Sequence, residues 1–222
     1  REMAVAGATR LLSANEIVGA HVAQRHQCRV VKGEIDLLAL AGVAPRALRE
    51  KLLPNGSGNA AFDTAMRTFR HAPGTMMIHL ALDDLPEWSA GEELRKFAYV
   101  HIAPSLDQMA RTYSQAVAGL LPSEPVLVVG QPTAIDPSRA PQGRHVLWVQ
   151  VRALPAEIKG DAAGSDEAMH WDDVKELYAD RALAIIEQNA PGLGRKILGR
   201  AVFSPLDLER ANPNLVGGDQ IC

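Results

Sequence analysis

Thr75-Met76-Met77-Ile78-His79-Leu80-Ala81-Leu82 is the stretch whose reading decides the fold. Successive side chains of a strand point to opposite faces, so Met76, Ile78, Leu80 and Leu82 share one face and Met77, His79 and Ala81 the other. The first face is wholly apolar and reads as core. Phe97-Ala98-Tyr99-Val100-His101-Ile102-Ala103 repeats the arrangement, setting Ala98, Val100 and Ile102 against Phe97, Tyr99 and His101, and Pro104 closes it. His145-Val146-Leu147-Trp148-Val149-Gln150-Val151-Arg152 is a third strand of this kind, with Leu147, Val149 and Val151 opposed to Trp148, Gln150 and Arg152. Val126 to Gly130 reads as a short apolar strand ended by Gln131-Pro132, and Ile197 to Phe203 as a last strand.

Helices alternate with these strands. Ser105 and Gln108 form a capping-box pattern, followed at helical spacing by Leu106, Met109, Ala110, Tyr113, Val117, Leu120 and Leu121. Trp171, Val174, Leu177, Tyr178, Ala182, Ile185 and Ile186 mark a second long helix, stopped by Pro191-Gly192. Pro45 opens a short helix through Leu53, and the polar Asn55-Gly56-Ser57-Gly58-Asn59 reads as a linker. Near the end, Ser204 suits a helix N-cap with Pro205 at the first helical position and Asp207 and Glu209 where the helix dipole favours anions. Gly217-Gly218 then lets the backbone take positive φ or approach another body closely. Upstream, the runs 5–12 and 16–22 suggest a hairpin, with helix as the alternative reading of an alanine-rich stretch. The fold class that follows is α+β, a mixed or antiparallel sheet with helices packed on one side.

Composition narrows the partners. A chain of 222 residues with 47% apolar content and a net charge of −3 fits one domain or one and a half, with no electrostatic case for nucleic acid or an anionic membrane. No apolar run reaches the roughly 20 residues that span a bilayer. Cys28 and Cys222 are far apart and form no C-x-x-C pair, which fits a reducing, cytoplasmic setting. His26-x-Cys28 offers two soft ligands where a metal site wants three or four, so it reads as ordinary loop and no metal is expected.

Candidate chemistry gathers on the mixed face of the strands: Met77, His79, Tyr99, His101, Trp148 and Gln150, with Gln131 as an addition at a strand end. Such a face either lines a largely apolar cavity with a few orienting polar groups, or packs under the helices, or meets solvent. Imidazole is a proton-transfer group, so His79 and His101 could move a proton, although a lone strand histidine is more often structural. Gly192-x-Gly194 fails as a dinucleotide fingerprint because a helix, not a strand, precedes it. Neither Gly-x-Ser-x-Gly nor His-Glu-x-x-His occurs, so no hydrolase or zinc enzyme is advertised.

Together with Asp136-Pro137-Ser138-Arg139-Ala140-Pro141, Ser204-Pro205-x-Asp207-Leu208-Glu209 and the run Asn212 to Asp219, the strands at 75–82 and 97–104 resemble the phytoene-dehydrogenase-like FAD-dependent oxidoreductases, including the pyridine-nucleotide-disulfide oxidoreductase domain-containing type. The likeness covers roughly Pro73 to Asp219; residues 1–40 fit it poorly. It implies a substrate domain like that of FAD-dependent amine-oxidase and phytoene-desaturase-like enzymes, joined to a flavin-binding Rossmann domain whose Gly-x-Gly-x-x-Gly segment does not occur in these 222 residues. The implied organisation is a hairpin and short helix over 1–54 and a substrate-binding α+β domain over 60–222, acting in hydride transfer between an apolar substrate and flavin in the intact enzyme. Met77, His79, Tyr99, His101, Gln131, Trp148 and Gln150 would then face substrate, and Gly217 and Gly218 would let the backbone pass close to the FAD. The implied partners are an apolar small molecule and an FAD-binding domain of the same or another chain, with a homo-oligomer also compatible. The alternative is a non-catalytic α+β module that binds an apolar ligand or a protein through the same face.

Overall fold

Strand β1 (Gly74–Leu82) is hydrogen-bonded along both edges, to β5 (His145–Leu154) and to β7 (Ile197–Phe203). With β2 (Tyr99–Ile102) and β4 (Val126–Gly130) these form a five-stranded sheet in the order β2-β4-β5-β1-β7, antiparallel at every pairing. The computed structural model describes residues 44–220, Pro54 and Asp166 excepted. The hairpin expected over 3–22, the His26-x-Cys28 pair and Cys222 lie outside the described residues.

The alternation read from β1 governs the whole sheet. Met76, Ile78, Leu80 and Leu82 are buried, and so are Val100 and Ile102 of β2, Leu127 and Val129 of β4, Leu147, Val149 and Val151 of β5 and Val202 of β7. One long helix, α5 (Trp171–Asn189), covers this face, sending Trp171, Tyr178, Ala179, Ala182 and Ile186 into the same apolar cluster. Its polar atoms inside the core are paired: Trp171 Nε1 donates to Pro155 O at 3.1 Å and Tyr178 Oη to Pro122 O at 2.9 Å. The fold is α+β as the sequence pattern predicts.

The other helix expected from spacing, α3 (Leu106–Ala118), forms and is capped as read, the Ser105 hydroxyl accepting from Gln108 N. Its orientation is the surprise. The residues it buries are Gln108, Thr112 and Ala116, because Gln108 Nε2 and Thr112 Oγ1 both donate to Glu124 O and hold that side against the loop before β4. The apolar stripe Leu106, Met109, Tyr113 and Val117 consequently points outward, Leu106 at 82% exposure.

Around the rim, α1 (Pro45–Ala47) runs into a π-helical turn (Leu48–Leu52), as Pro45 suggested. The linker reading stops short of α2 (Ala60–Thr68), whose first amides at Ala61 and Phe62 are capped by the Asn59 side chain. Asn59 was thus a helix cap inside a stretch whose glycines dominated its reading. Leu120 and Leu121, expected in the helix begun at Leu106, lie beyond it: Gly119 caps the helix at positive φ, and they form β3 (Leu120–Leu121), paired parallel with β6 (Gly160–Asp161). It is held to α5 by a two-pronged ion pair, Arg181 Nη1 and Nη2 on the Asp161 oxygens at 2.9 and 2.5 Å. The remaining helices are short: α4 (Pro132–Ile135), α6 (Leu193–Lys196) and α7 (Pro205–Ala211). The last carries the full reciprocal cap, Ser204 Oγ accepting from Asp207 N and the Asp207 carboxylate from Ser204 N.

Two outcomes test this arrangement. Ile78→Ala should destabilise the chain by about 2–5 kcal/mol, whereas the adjacent outward His79→Ala should stay within about 0.5 kcal/mol, read as shifts of the urea midpoint at constant slope. The second concerns acid. Burial pushes the Asp161 carboxyl up, but hydrogen bonds from Arg181 and Ala163 N outweigh it and hold the group below its usual value of 3.8. A lowered carboxylate contributes stability that is present above the unfolded value and lost as pH falls through the folded one. The stability gap between the native chain and Asp161→Asn should therefore shrink as pH is taken below about 4, measured by urea unfolding at each pH.

Candidate functional site

On the sheet's second face, strand register gathers the expected residues. Reading across the strands, His101 lies opposite Val128, Val128 opposite Gln150, Gln150 opposite Met77 and Met77 opposite Phe203. The next row runs Tyr99, Gly130, Trp148, His79, Ala201. Six of the seven residues singled out for this face thus occupy two adjacent rows. Tyr99, His79 and His101 are exposed, while Met77, Trp148 and Gln150 are half-buried.

Aromatic contacts set the relief of the face. Trp148 and Tyr99 meet edge to face, ring centroids 5.4 Å apart, and His79 meets Phe203 likewise at 5.8 Å. Trp148 takes this position because β4 presents Gly130 beneath it: a methyl group there would overlap the indole ring. Spacing alone did not reveal Gly130, Val128 or Phe203 as members of the face, although each has the parity that places it there. The surface that results is apolar and aromatic, interrupted by two imidazoles and one amide. That amide is tethered, Gln150 Nε2 donating to Gln220 Oε1 at 3.3 Å.

Gln131 does not share this face. It is fully buried, and its side chain is saturated: Oε1 accepts from Trp88 Nε1 at 3.0 Å, and Nε2 donates to Leu94 O at 2.8 Å and Phe97 O at 2.9 Å. The same alternation that puts Gly130 outward turns Gln131 inward, and a buried amide persists there because all of its hydrogen bonds are made.

Gly217 and Gly218 use their freedom inside the fold. Both have positive φ, 62° and 77°. A side chain at Gly218 would strike Pro205, and one at Gly74 would strike the Gly217 carbonyl. Gly217 N donates to Glu209 Oε2 and Gly218 N to Leu215 O, so the loop offers no free amide from these two residues. An FAD pyrophosphate would need amides aimed outward, and these two are engaged within the fold.

The loop closes a cleft of about 1340 Å³ bounded also by Arg70 to Pro73, Tyr113 and Val117 of α3, the Leu154 to Glu157 segment and α7. Arg46 in its wall is paired with Glu50 and Glu209, and Arg210 with Asp172. Across the cleft the segment entering β1 is stapled to the segment leaving the Gly-Gly loop, Ala72 N donating to Asp219 Oδ2 at 2.8 Å. Among the described residues no cluster of histidine, cysteine or carboxylate side chains is placed to hold a metal, and no helix is long and apolar enough to cross a membrane.

Comparisons with known proteins agree with the resemblance seen in the sequence. The chain is 30% identical over 142 residues to pyridine nucleotide-disulfide oxidoreductase domain-containing protein 2 of Rattus norvegicus, covering 60% of this chain and 23% of that protein. It is 28% identical over 140 residues to phytoene dehydrogenase of Streptomyces griseus, covering 62% of this chain and 25% of that one. The matched part spans about a quarter of the length of these curated relatives. Among solved structures, an oxidoreductase from Methanosarcina mazei aligns over 78% of this chain and 32% of its own, with a TM-score of 0.40 and 15% identity. No protein-family model matches.

The dependence of Trp148 on Gly130 is open to test. Gly130→Ala should drive the indole off the sheet at a cost of about 1–3 kcal/mol, and the nuclear Overhauser contacts between the Trp148 and Tyr99 rings should disappear while those between Trp171 and Tyr178 persist.

Proposed function

We propose that residues 44–220 form the substrate-binding part of an FAD-dependent oxidoreductase of the dehydrogenase or desaturase type, and that the uncovered sheet face lines the substrate cavity. One observation carries this reading: a five-stranded sheet packs one face against α5 and gathers Tyr99, Trp148, Met77 and Phe203 in adjacent rows of the other. Apolar walls with few convergent polar groups are the usual character of a small-molecule site. His79, His101 and Gln150 are those polar groups, and they would orient the ligand.

Similarity to a phytoene dehydrogenase supports an apolar substrate, and similarity across a quarter of longer oxidoreductases supports a unit that works within a larger protein. The flavin would accept hydride from the substrate, supplying the redox chemistry. Its pyrophosphate would be held elsewhere, since the amides of Gly217 and Gly218 are engaged within this fold.

The reading is tested on the chain extended to the relatives' length. That protein should copurify with flavin, whose visible absorbance should bleach anaerobically on adding phytoene in detergent. Trp148→Asp should slow the bleaching by roughly tenfold or more without releasing the flavin. Bleaching that ignores the substitution would remove the sheet face from the site. Tight stoichiometric FAD binding by the 222-residue chain alone would overturn the placement of the cofactor fold outside it.

A further inference from the structure

At the β2 edge of the open face the sheet ends in a built notch of about 250 Å³. Its inner wall is the Tyr99–Trp148 pair, and its outer wall is α4, which brings Pro132 and Ile135 across from the rings. Ile135 is 65% exposed and Tyr99 57%, so two large apolar side chains face each other with solvent between them. Such exposure is not left over from poor packing. The buried Gln131 side chain ties Trp88 and the carbonyls of Leu94 and Phe97 together directly before α4, and Gln131 N donates to Ala98 O at 2.7 Å. The turn out of β4, and with it the outer wall, is thereby fixed relative to β2. Gly130 fixes the inner wall by admitting the indole.

The charges at the rim are closed on one another. Asp136 accepts from Ser138 N and Oγ at 3.1 and 2.5 Å and from Arg139 Nε at 3.3 Å, which leaves no unpaired charge to recognise a charged end group. At the packing density of protein interiors, about 0.74, the notch would hold roughly 185 Å³ of ligand atoms, on the order of ten carbons.

We infer that this notch is an end-group subsite for a compact, uncharged hydrocarbon terminus, a ring or a tightly branched head. The inference rests on the reading of the open face as substrate-lining, and deepens it: the notch terminates the row that runs from His79 through Trp148 to Tyr99. A ligand lying along that row crosses strands about 4.8 Å apart and puts its terminus between Tyr99, Trp148 and Ile135. Edge-to-face rings then meet an apolar end group, and the ligand's middle passes His79.

The probes are adamantanol, a compact uncharged cage, and its charged counterpart adamantanecarboxylate, titrated into the full chain and followed by the tryptophan indole N–H signals. The chain has three tryptophans, and two of them serve as internal references because Trp88 and Trp171 are buried with their N–H groups bonded to Gln131 and Pro155. Adamantanol should shift the Trp148 signal saturably while the other two stay fixed, and adamantanecarboxylate should not saturate. Ile135→Asp should weaken binding about tenfold, with the reference signals showing that the fold persists. Tyr99→Ala should do the same from the opposite wall. An unshifted Trp148 signal, equal affinity for the carboxylate, or binding untouched by both substitutions would each overturn the subsite. The titration needs no flavin, so a silent notch beside a substrate-dependent bleach removes the subsite alone, whereas a working notch on a full-length protein that binds no flavin removes the enzyme reading.

Discussion

The structure depends on β1 being paired along both edges. A strand with two neighbours has both of its faces decided at once, and a shift of one residue would exchange Met76, Ile78, Leu80 and Leu82 for Met77, His79 and Ala81 on the side that meets α5. That exchange would put an imidazole into the apolar cluster and expose the longest aliphatic run in the sheet. Register is therefore strongly specified, and β5 and β7 inherit it through their pairings. The two rows of the second face follow from the same constraint: fixing the core face of β1 places His79 beside Trp148 and Met77 beside Gln150.

Much of this was legible because alternation is a local rule with one free parameter, the phase. Once three strands each displayed an aliphatic set, their opposite sets had to share a surface if the strands shared a sheet. Strand order was not legible, since nothing in the spacing of β2 or β7 says that they occupy opposite edges. Gln131 shows a different failure. Glutamine is mostly an exposed residue, and chemistry suggested a surface role, but the phase of β4 already turned position 131 inward. The amide is tolerated at full burial because the Trp88 indole and two carbonyls satisfy it. Residue type misled where periodicity would have corrected it.

Two further features turn on which of several interactions prevails. The apolar stripe of α3 has the spacing of a core-facing helix, and burial of that stripe is the ordinary expectation. Here Gln108 and Thr112 bind the Glu124 carbonyl instead, and a helix can satisfy only one orientation. Gly217-Gly218 has the composition of a loop built for close approach, and close approach is what it makes. Its partners are Gly74 and Pro205, residues more than a hundred positions apart in sequence and invisible to any local pattern.

These departures point in one direction. Large contiguous apolar patches, beyond roughly 300–600 Å², are uncommon on free-standing soluble proteins because each costs hydrophobic free energy in proportion to its area. The described unit nonetheless leaves Leu106, Tyr113 and Val117 of α3 exposed, and on the open face Tyr99 and Phe203 as well. Neither surface arises from strain: the open face follows from the register of β1, and the α3 stripe from two satisfied hydrogen bonds. Surfaces produced by the most constrained parts of a fold are not accidents of loose packing. Two apolar surfaces are retained in this way, one flat and aromatic, the other a helical ridge bordering the cleft beside the Gly217-Gly218 loop. The flat face has a notch at one end and His79, His101 and Gln150 along it. The ridge is Leu106, Met109 and Val117 with Tyr113 at the cleft, and its exposure follows from the orientation that Gln108 and Thr112 impose on α3.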